Sequence, residues 1–381
     1  MREIPAPSRT LGHFRSLPPE IVFLALRRAI ELVLEVGDAL VDSYIAVARA
    51  AHLAGMTIRA LDNKSGITHL LEPAAKAWGV ECWSPTLRTG AYAKRKNGSE
   101  KTYHELVRSN IGLYEALRVL YGACQVVIGT VSARRDGELL DLVVGSVLDS
   151  SERFLLVDLR KSGWLGIREE AALPLPPIAV RCVKLLERLH RGLLQVKVLD
   201  ASANLLAFPK KNGAPGLVRC LVTNTCESLD YFCDWAELPL DESAKRYYLR
   251  QHQLRRFFAM LFFWGHGFGG LDTLRDFLGH SNAKHVYAYI TETLPGAVLS
   301  SVKAQFVAHQ IIHSEVDAPL SALLKEAFGT SDFHLVATED LEAYLSNLIV
   351  HGQLSVEPVF IDQGKSYKVL VKVMGDKGNP Q

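Results

Sequence analysis

A histidine and an arginine stand three residues apart in the stretch HQLRRFFAM, as His252 and Arg255. Residues at this spacing share one face of a helix, so both side chains can point at one target. An arginine keeps its charge in the protein interior, and its planar fork of N–H donors fits carboxylate or phosphate oxygens. Because large apolar side chains follow Arg255, we expect this arginine at the edge of a buried helix, bound to an anion.

Two further groups that can act on an anion follow downstream. His280 comes directly after Gly279, and a glycine at this point allows a sharp change of chain direction and the close approach of a ligand. Tyr289 stands nine residues beyond His280, and its phenol can serve as a nucleophile. Two residues before it, Tyr287 is an alternative nucleophile. This stretch predicts a nucleophile close to groups that can stabilise negative charge.

Two more candidates lie upstream, at a predicted helix start and a predicted hairpin tip. Arg135 precedes Glu138 by three residues in ARRDGELL, where Glu138 is expected to hold the arginine or to cap its helix. Lys161 lies in LRKSG, the turn between a strand predicted at Phe154–Leu159 and its return strand. Each of these groups has a structural explanation when taken alone. Their common order along the chain favours a joint function.

The order of these groups resembles that of the tyrosine recombinase (phage integrase) family. In that family an arginine on an early helix is followed by a lysine on a β-hairpin, by HxxR, by His or Trp after a glycine, and by a nucleophilic tyrosine. The resemblance covers about residues 111–292 and is strongest at the HQLRR and LGHSN blocks. The matching residues, in chain order, are Arg135, Lys161, His252, Arg255, His280 and Tyr289.

The resemblance implies a site-specific recombinase or integrase of a mobile element, which cuts and rejoins DNA without a metal or any other cofactor. Tyr289 would attack the scissile phosphate and form a 3'-phosphotyrosine link, and a 5'-hydroxyl would later reverse that step. A type IB topoisomerase would use the same groups on a single duplex. A non-catalytic DNA-binding regulator that keeps the fold is a third possibility.

The resemblance also implies a role for each of the other matching residues. Arg135 and Arg255 would hold the two non-bridging oxygens, where charge builds in the transition state, and His280 would add a hydrogen bond to the same oxygens. His252 would accept or pass the tyrosine proton. Lys161 would protonate the departing 5'-oxygen.

Double-stranded DNA is the partner that the resemblance implies, with four protomers assembled on paired sites. The formal charge of +2 creates no field over the whole molecule, so local basic patches must hold the DNA. The predicted DNA-binding residues are Arg134, Arg256, Lys94, Arg95, Lys96, Lys210 and Lys211. The six scattered cysteines and the lack of a signal-peptide pattern favour a cytoplasmic protein, associated with the nucleoid when bound to DNA. No apolar run approaches the ~18 residues of a membrane span.

The pattern of the whole chain predicts a mainly α fold with a small antiparallel sheet, an α+β class. A helical region with a basic loop is expected over residues 1–110, as a reduced or partial DNA clamp. The catalytic domain is expected over residues 111–295, and an extension of helices and a strand pair over residues 296–381.

Local patterns predict most of the individual elements. Two helices are expected within residues 18–55, followed by an irregular stretch at 56–104. A helix at 111–128 precedes TVSARRDGELLDL, which is expected to begin another helix. Further helices are predicted in LPLPPIAVRCVKLLERLHRGLL, with Pro176 and Pro177 at the helix start, and at QHQLRRFFAMLFFWG, LDTLRDFLGH, NAKHVYAYITET, SALLKEAF and TEDLEAYLSNLIV. A final strand pair is predicted at QLSVEPVFI and SYKVLVKV. Short apolar segments with turns are expected over 200–250.

Overall fold

The computed structural model describes residues 17–89, 100–160, 169–201, 204–241, 244–265, 270–279, 297–313, 317–361 and 366–374. These residues form a mostly helical fold with three antiparallel sheets of two strands each, which confirms the predicted α+β class. The helices are α1 Pro19–Glu35, α2 Gly37–Leu53, α3 Ile58–Ser65, α4 Pro73–Trp78, α5 Pro85–Thr89, α6 Glu100–Arg108, α7 Leu113–Ser132, α8 Asp136–Leu140, α9 Pro177–Gln195, α10 Val222–Trp235, α11 Gln251–Gly265, α12 Gly270–Leu278, α13 Ala297–His313, α14 Ala318–Phe328 and α15 Thr338–Val350. Short 3-10 turns lie at Thr68–Leu70 and Phe333–Leu335. The strands are β1 Phe154–Leu159, β2 Glu169–Pro174, β3 Phe208–Pro209, β4 Leu217–Val218, β5 Leu354–Ile361 and β6 Ser366–Val373.

Helix α7 is the centre of the larger hydrophobic core. It is buried along nearly its whole length, as expected for a helix that is apolar on every side, and α1, α2, α9, α10 and α11 pack around it. Gly122 allows α10 to approach closely, because a Cβ at this position would lie 2.3 Å from the Ser228 carbonyl oxygen. Helix α7 is therefore held in place by helices on several sides.

A second core lies under the C-terminal part of the chain. It joins α12, α13, α14 and α15 to one face of the β5–β6 pair, where Leu354 and Val356 are buried. Helix α11 contributes to both cores, with Phe257 in the first and Ala259 in the second. The HxxR segment thus lies on a helix that packs against both hydrophobic cores.

Most of the long predicted elements are confirmed. They include α1 and α2, strand β1 at Phe154–Leu159, helices α9, α11 and α12, and the C-terminal helices and strand pair. The return strand was expected to end by Ile167, but the strand that pairs with β1, from Phe154↔Pro174 to Leu159↔Glu169, is β2 at Glu169–Pro174. The helix predicted at NAKHVYAYITET, and the turn that carries Lys161, lie outside the described residues. Helix α13 was not predicted.

Three local predictions are wrong. The described part of residues 56–104 is not irregular but holds four short helices, and its prolines and glycines mark their ends: Pro73 starts α4, and Gly79 follows it at φ +122°. The stretch 200–250 contains the long helix α10. TVSARRDGELLDL does not begin one new helix, because α7 continues to Ser132 and only Asp136–Leu140 is helical beyond it.

Candidate active site

Four segments that are far apart in the sequence meet at the C-terminal end of α7. They are the residues after α7, the first turns of α11, the end of α12 and the end of β1. The sequence pattern placed a predicted catalytic residue on, or directly after, each of these segments. Their contacts build the site described below.

The chain leaves α7 through Ala133, which takes a left-handed conformation at φ 49° and donates its N–H to the Gly129 carbonyl at 3.1 Å. Arg135 is then extended and precedes α8. Glu138 accepts the Arg135 N–H at 3.1 Å and the Arg135 Nη1 at 2.7 Å. Burial alone would raise the pKa of Glu138, but these hydrogen bonds lower it below its usual value. Glu138 therefore fixes both the backbone and the guanidinium of Arg135, as predicted for its structural role.

Arg255 is buried, with 1% of its surface exposed, and it donates hydrogen bonds to two backbone carbonyls. Its Nη1 donates to the Ala133 oxygen at 2.6 Å and its Nη2 to the Leu278 oxygen at 2.6 Å. Both carbonyls lie at C-terminal helix ends, which carry unpaired oxygens and a partial negative charge. The anion expected for Arg255 is thus, in the free protein, a pair of helix ends, and Arg255 ties α7 to α12.

Arg134 makes a second tie between the same two helix ends. Its Nε donates to the Ser132 oxygen at 2.9 Å and its Nη2 to the Phe277 oxygen, while its Nη1 lies 4.0 Å from Glu138 Oε2. Burial, and then the charge of Arg255, lower the pKa of Arg134 to about 9. The guanidinium groups of Arg134 and Arg135 consequently lie beside the carboxylate of Glu138, and the charge of Arg255 acts on Arg134.

Arg134 and Arg256 were predicted to face DNA from the surface, and the structure corrects that expectation. Arg134 is 0% exposed and Arg256 7% exposed. Of the two adjacent arginines after α7, Arg135 is the one that remains open to solvent, with 23% of its side chain exposed. Arg135 can receive an external anion while Arg134 and Arg255 supply positive charge behind it.

Gln251 connects α11 to the same place, and the sequence pattern did not reveal it. Its Nε2 donates to the Gly129 oxygen at 3.0 Å and to the Arg134 oxygen at 2.9 Å. Gly129 makes room for it, since a Cβ there would lie 2.2 Å from Gln251 Oε1. His252 follows directly on α11 and is half-buried. A glutamine at the start of the HxxR helix was the one signal available in the sequence.

The ends of β1 and α12 complete the arrangement. The Arg160 N–H lies 3.4 Å from Glu138 Oε1, and Arg160 is the residue before Lys161. Gly279 has φ +60°, and a Cβ there would lie 3.0 Å from Leu159 Cδ1, so α12 ends directly against β1. Gly279 is the residue before His280.

The remaining predicted residues divide into two groups. Lys161, His280, Tyr289, Lys94, Arg95 and Lys96 lie outside the described residues. Lys210 and Lys211 follow β3, half-buried and exposed respectively, and their contact with DNA stays a prediction. In the part of the chain that the structure covers, no group of three or more His, Cys, Asp or Glu could hold a metal ion. No helix in that same part is long and apolar enough to cross a membrane.

Comparison with solved structures finds a similarity to the crystal structure of XerA recombinase, at a TM-score of 0.30 and 16% sequence identity. The match covers 65% of this chain and 92% of that chain. No protein-family model and no curated protein matches the sequence. A TM-score of this size does not establish a shared fold.

Asp136, the first residue of α8, should make stability depend on pH. Its Oδ1 is buried without a hydrogen-bond partner, and burial raises its pKa to about 6 against an opposing effect of Arg250. Because the folded pKa exceeds the unfolded value of about 3.9, this group stabilises the fold below about pH 4, and the contribution is lost as pH rises through 6.

We therefore expect the difference in unfolding free energy between Asp136→Asn and the unaltered protein to grow by about 1–3 kcal/mol in favour of the variant as the pH rises from 4 to 8. Urea unfolding of both proteins across that range measures the difference. A difference that stays constant with pH would show that Asp136 does not titrate as described.

Proposed function

We propose that this protein is a site-specific DNA recombinase that cleaves and rejoins DNA through a 3'-phosphotyrosine intermediate, for a mobile element. The observation that carries the proposal is the meeting of four distant segments at one buried cluster of arginines. Arg135 and Arg255 belong to two of these segments, while Arg160 and Gly279 end the other two, one residue ahead of Lys161 and His280. Unrelated surface residues would have no reason to share this order and this meeting point.

The charges around Arg135 suit a phosphodiester. A phosphate held in a pocket of fixed guanidinium groups is stabilised most when its charge grows in the transition state, because the donors need not reorganise. Arg135 offers a partly exposed fork for that phosphate, and the Glu138 carboxylate fixes its orientation. In the proposed reaction Tyr289 attacks, the 5'-oxygen leaves with a proton from Lys161, and His252 and His280 assist.

Arg255 has a double role in this proposal. In the free protein it satisfies the carbonyls of Ala133 and Leu278 with two of its five N–H groups. The same contacts hold its guanidinium beside Arg134 and behind Arg135, where it raises the positive charge at the bound phosphate. The proposed substrate is double-stranded DNA at paired sites, and the proposed active form is a tetramer.

Covalent trapping tests the proposed reaction. The unaltered protein is incubated with nicked duplex fragments of genomic DNA from its source, in which a short strand diffuses away after cleavage and prevents rejoining. We expect a protein–DNA adduct that survives denaturing detergent, with the protein on the 3' end. Duplex binding without any adduct would contradict catalysis and favour a DNA-binding regulator.

A second assay separates recombinase from topoisomerase. The trapped fragments are sequenced, and the recovered site is placed twice on one supercoiled plasmid. We expect exchange between the two sites. Relaxation of a plasmid without a site, with no exchange on the two-site plasmid, would instead identify a type IB topoisomerase.

A further inference from the structure

We propose that Arg160 and Arg219 form a second phosphate site beside Arg135, and that Asp141 occupies it in the free protein as an internal substitute for a DNA backbone phosphate. The inference rests on the proposed function, because it names a DNA contact that flanks the same site. None of these three residues belongs to the predicted catalytic set. Their contacts with one another, and with Glu138, carry the inference.

The guanidinium of Arg160 holds Asp141 with both arms of its fork. Nε donates to Asp141 Oδ2 at 2.8 Å and Nη2 to Oδ1 at 2.8 Å. Arg219 approaches the same Oδ1 with its Nη2 at 3.7 Å. The two arginine side chains are 42% and 64% exposed, whereas that of Asp141 is 18% exposed. Solvent therefore reaches the two cations more readily than the carboxylate between them.

Helix α8 places this group next to the proposed catalytic arginine. Glu138 lies on α8, and Asp141 directly follows the helix with helical backbone angles, so the two residues, three apart, share one side of it. Glu138 binds Arg135 at 2.7 Å and lies 3.4 Å from the Arg160 N–H, so one carboxylate touches both segments. The Arg160 guanidinium lies against Gly137, where a Cβ would be 2.5 Å from Nη1. Glu138 thus holds the guanidinium of Arg135, while Asp141, three residues later in the chain, holds Arg160 and lies near Arg219.

A phosphodiester presents two charged oxygens to an arginine fork, as a carboxylate does. A pair exposed to this degree stabilises the fold little, so exchanging Asp141 for a phosphate costs the protein little. In the proposed complex, Arg135 binds one phosphate of a DNA strand, and Arg160 and Arg219 bind another phosphate of the same strand. Such contacts fix the register of the duplex and do not read its sequence. Asp141 would therefore limit binding of DNA that does not engage all three arginines.

The salt dependence of duplex binding tests this second site. All proteins carry Tyr289→Phe, so that strand cleavage does not contribute, and affinity for a labelled duplex is measured by fluorescence anisotropy over a salt series. Arg160→Gln and Arg219→Gln are each expected to make the slope of log K against log [salt] shallower by about 0.9, the value for one lost phosphate contact. Asp141→Asn is expected to tighten binding several-fold at low salt.

Matched controls come from an equivalent group on α2 and α9. Arg188 is 46% exposed and binds Asp38 and Asp42, so Arg188→Gln removes the same charge, and Asp38→Asn removes a carboxylate that holds two arginines. We expect neither control to change the slope. If Arg160→Gln and Arg219→Gln gave the slope of Arg188→Gln, the second phosphate site would be disproved.

The outcomes separate this inference from the proposed function. If the unaltered protein forms the adduct normally, and Arg160→Gln and Arg219→Gln leave the salt dependence of duplex binding unchanged, the second site alone is overturned. If the two substitutions make the salt dependence of binding shallower, but the unaltered protein forms no adduct, the second site is supported and catalysis is contradicted. If Asp141→Asn fails to fold in a thermal melt, Arg219→Gln decides, because its largely exposed side chain is removed without disturbing the interior.

Discussion

Replacing Arg255 by lysine is expected to lower the rate of covalent DNA joining by about 10²–10³-fold, the size of effect that follows when a preorganised electrostatic group of an active site is displaced. Lysine keeps the charge, but its three N–H donors sit on one nitrogen at the end of a flexible stem and cannot reproduce the planar fork that spans the Ala133 and Leu278 carbonyls. The ends of α7 and α12 would lose their shared tie, and the charge behind Arg135 would move. Single-turnover adduct formation on a nicked duplex measures the rate.

Arg246→Lys is the matched control for this substitution. Arg246 also donates from Nη1 to a backbone carbonyl, that of Leu238 at 2.7 Å, and lies near the carboxylate of Asp234. These partners of Arg246, Leu238 and Asp234, do not belong to the cluster after α7, so we expect Arg246→Lys to join DNA at close to the normal rate. Equal rates for Arg255→Lys and the unaltered protein would show that Arg255 serves the fold and not the reaction.

Replacing Glu138 by alanine is expected to lower the free energy of unfolding by about 3–5 kcal/mol, the usual cost of breaking a buried ion pair from one side. Glu138 is 1% exposed and is the carboxylate on which Arg134 and Arg135 converge. Without it, the buried charge of Arg134 faces that of Arg255 with no compensation. Urea unfolding at neutral pH measures the loss.

An exposed ion pair provides the comparison for Glu138. Glu152 binds Lys184, and the two side chains are 57% and 41% exposed, so Glu152→Ala is expected to change stability by less than about 1 kcal/mol. A loss at Glu138 as small as that at Glu152 would mean that Arg134 and Arg135 do not depend on this carboxylate.

Most long helices with clear hydrophobic periodicity were predictable, although α10 and α13 were missed. Helices such as α1, α9 and α11 have this property and were predicted close to their observed bounds. Short helices were missed because Pro and Gly mark helix ends as often as loops: Pro73 starts α4, and Gly66 ends α3 with φ 67°. The spacing of Pro and Gly in the sequence does not by itself distinguish a helix end from a loop.

The site was predictable in its residue types but not in its partners. Arg255 was expected to hold an anion, and it holds the carbonyls of Ala133 and Leu278, which any residue type would supply. Of the two arginines after α7, the sequence identified Arg135 but gave no means to recognise that Arg134 is buried. Which neighbour turns inward depends on the left-handed Ala133, a backbone feature without a sequence signature.

The most direct test of the proposed chemistry is the identity of the tyrosine that becomes linked to DNA. Adducts are formed by the unaltered protein, by Tyr289→Phe and by Tyr287→Phe, and the linked peptide is identified by mass spectrometry after nuclease digestion. We expect the nucleotide on Tyr289, no adduct from Tyr289→Phe, and a normal yield from Tyr287→Phe. An adduct that persists in Tyr289→Phe would contradict the proposed mechanism.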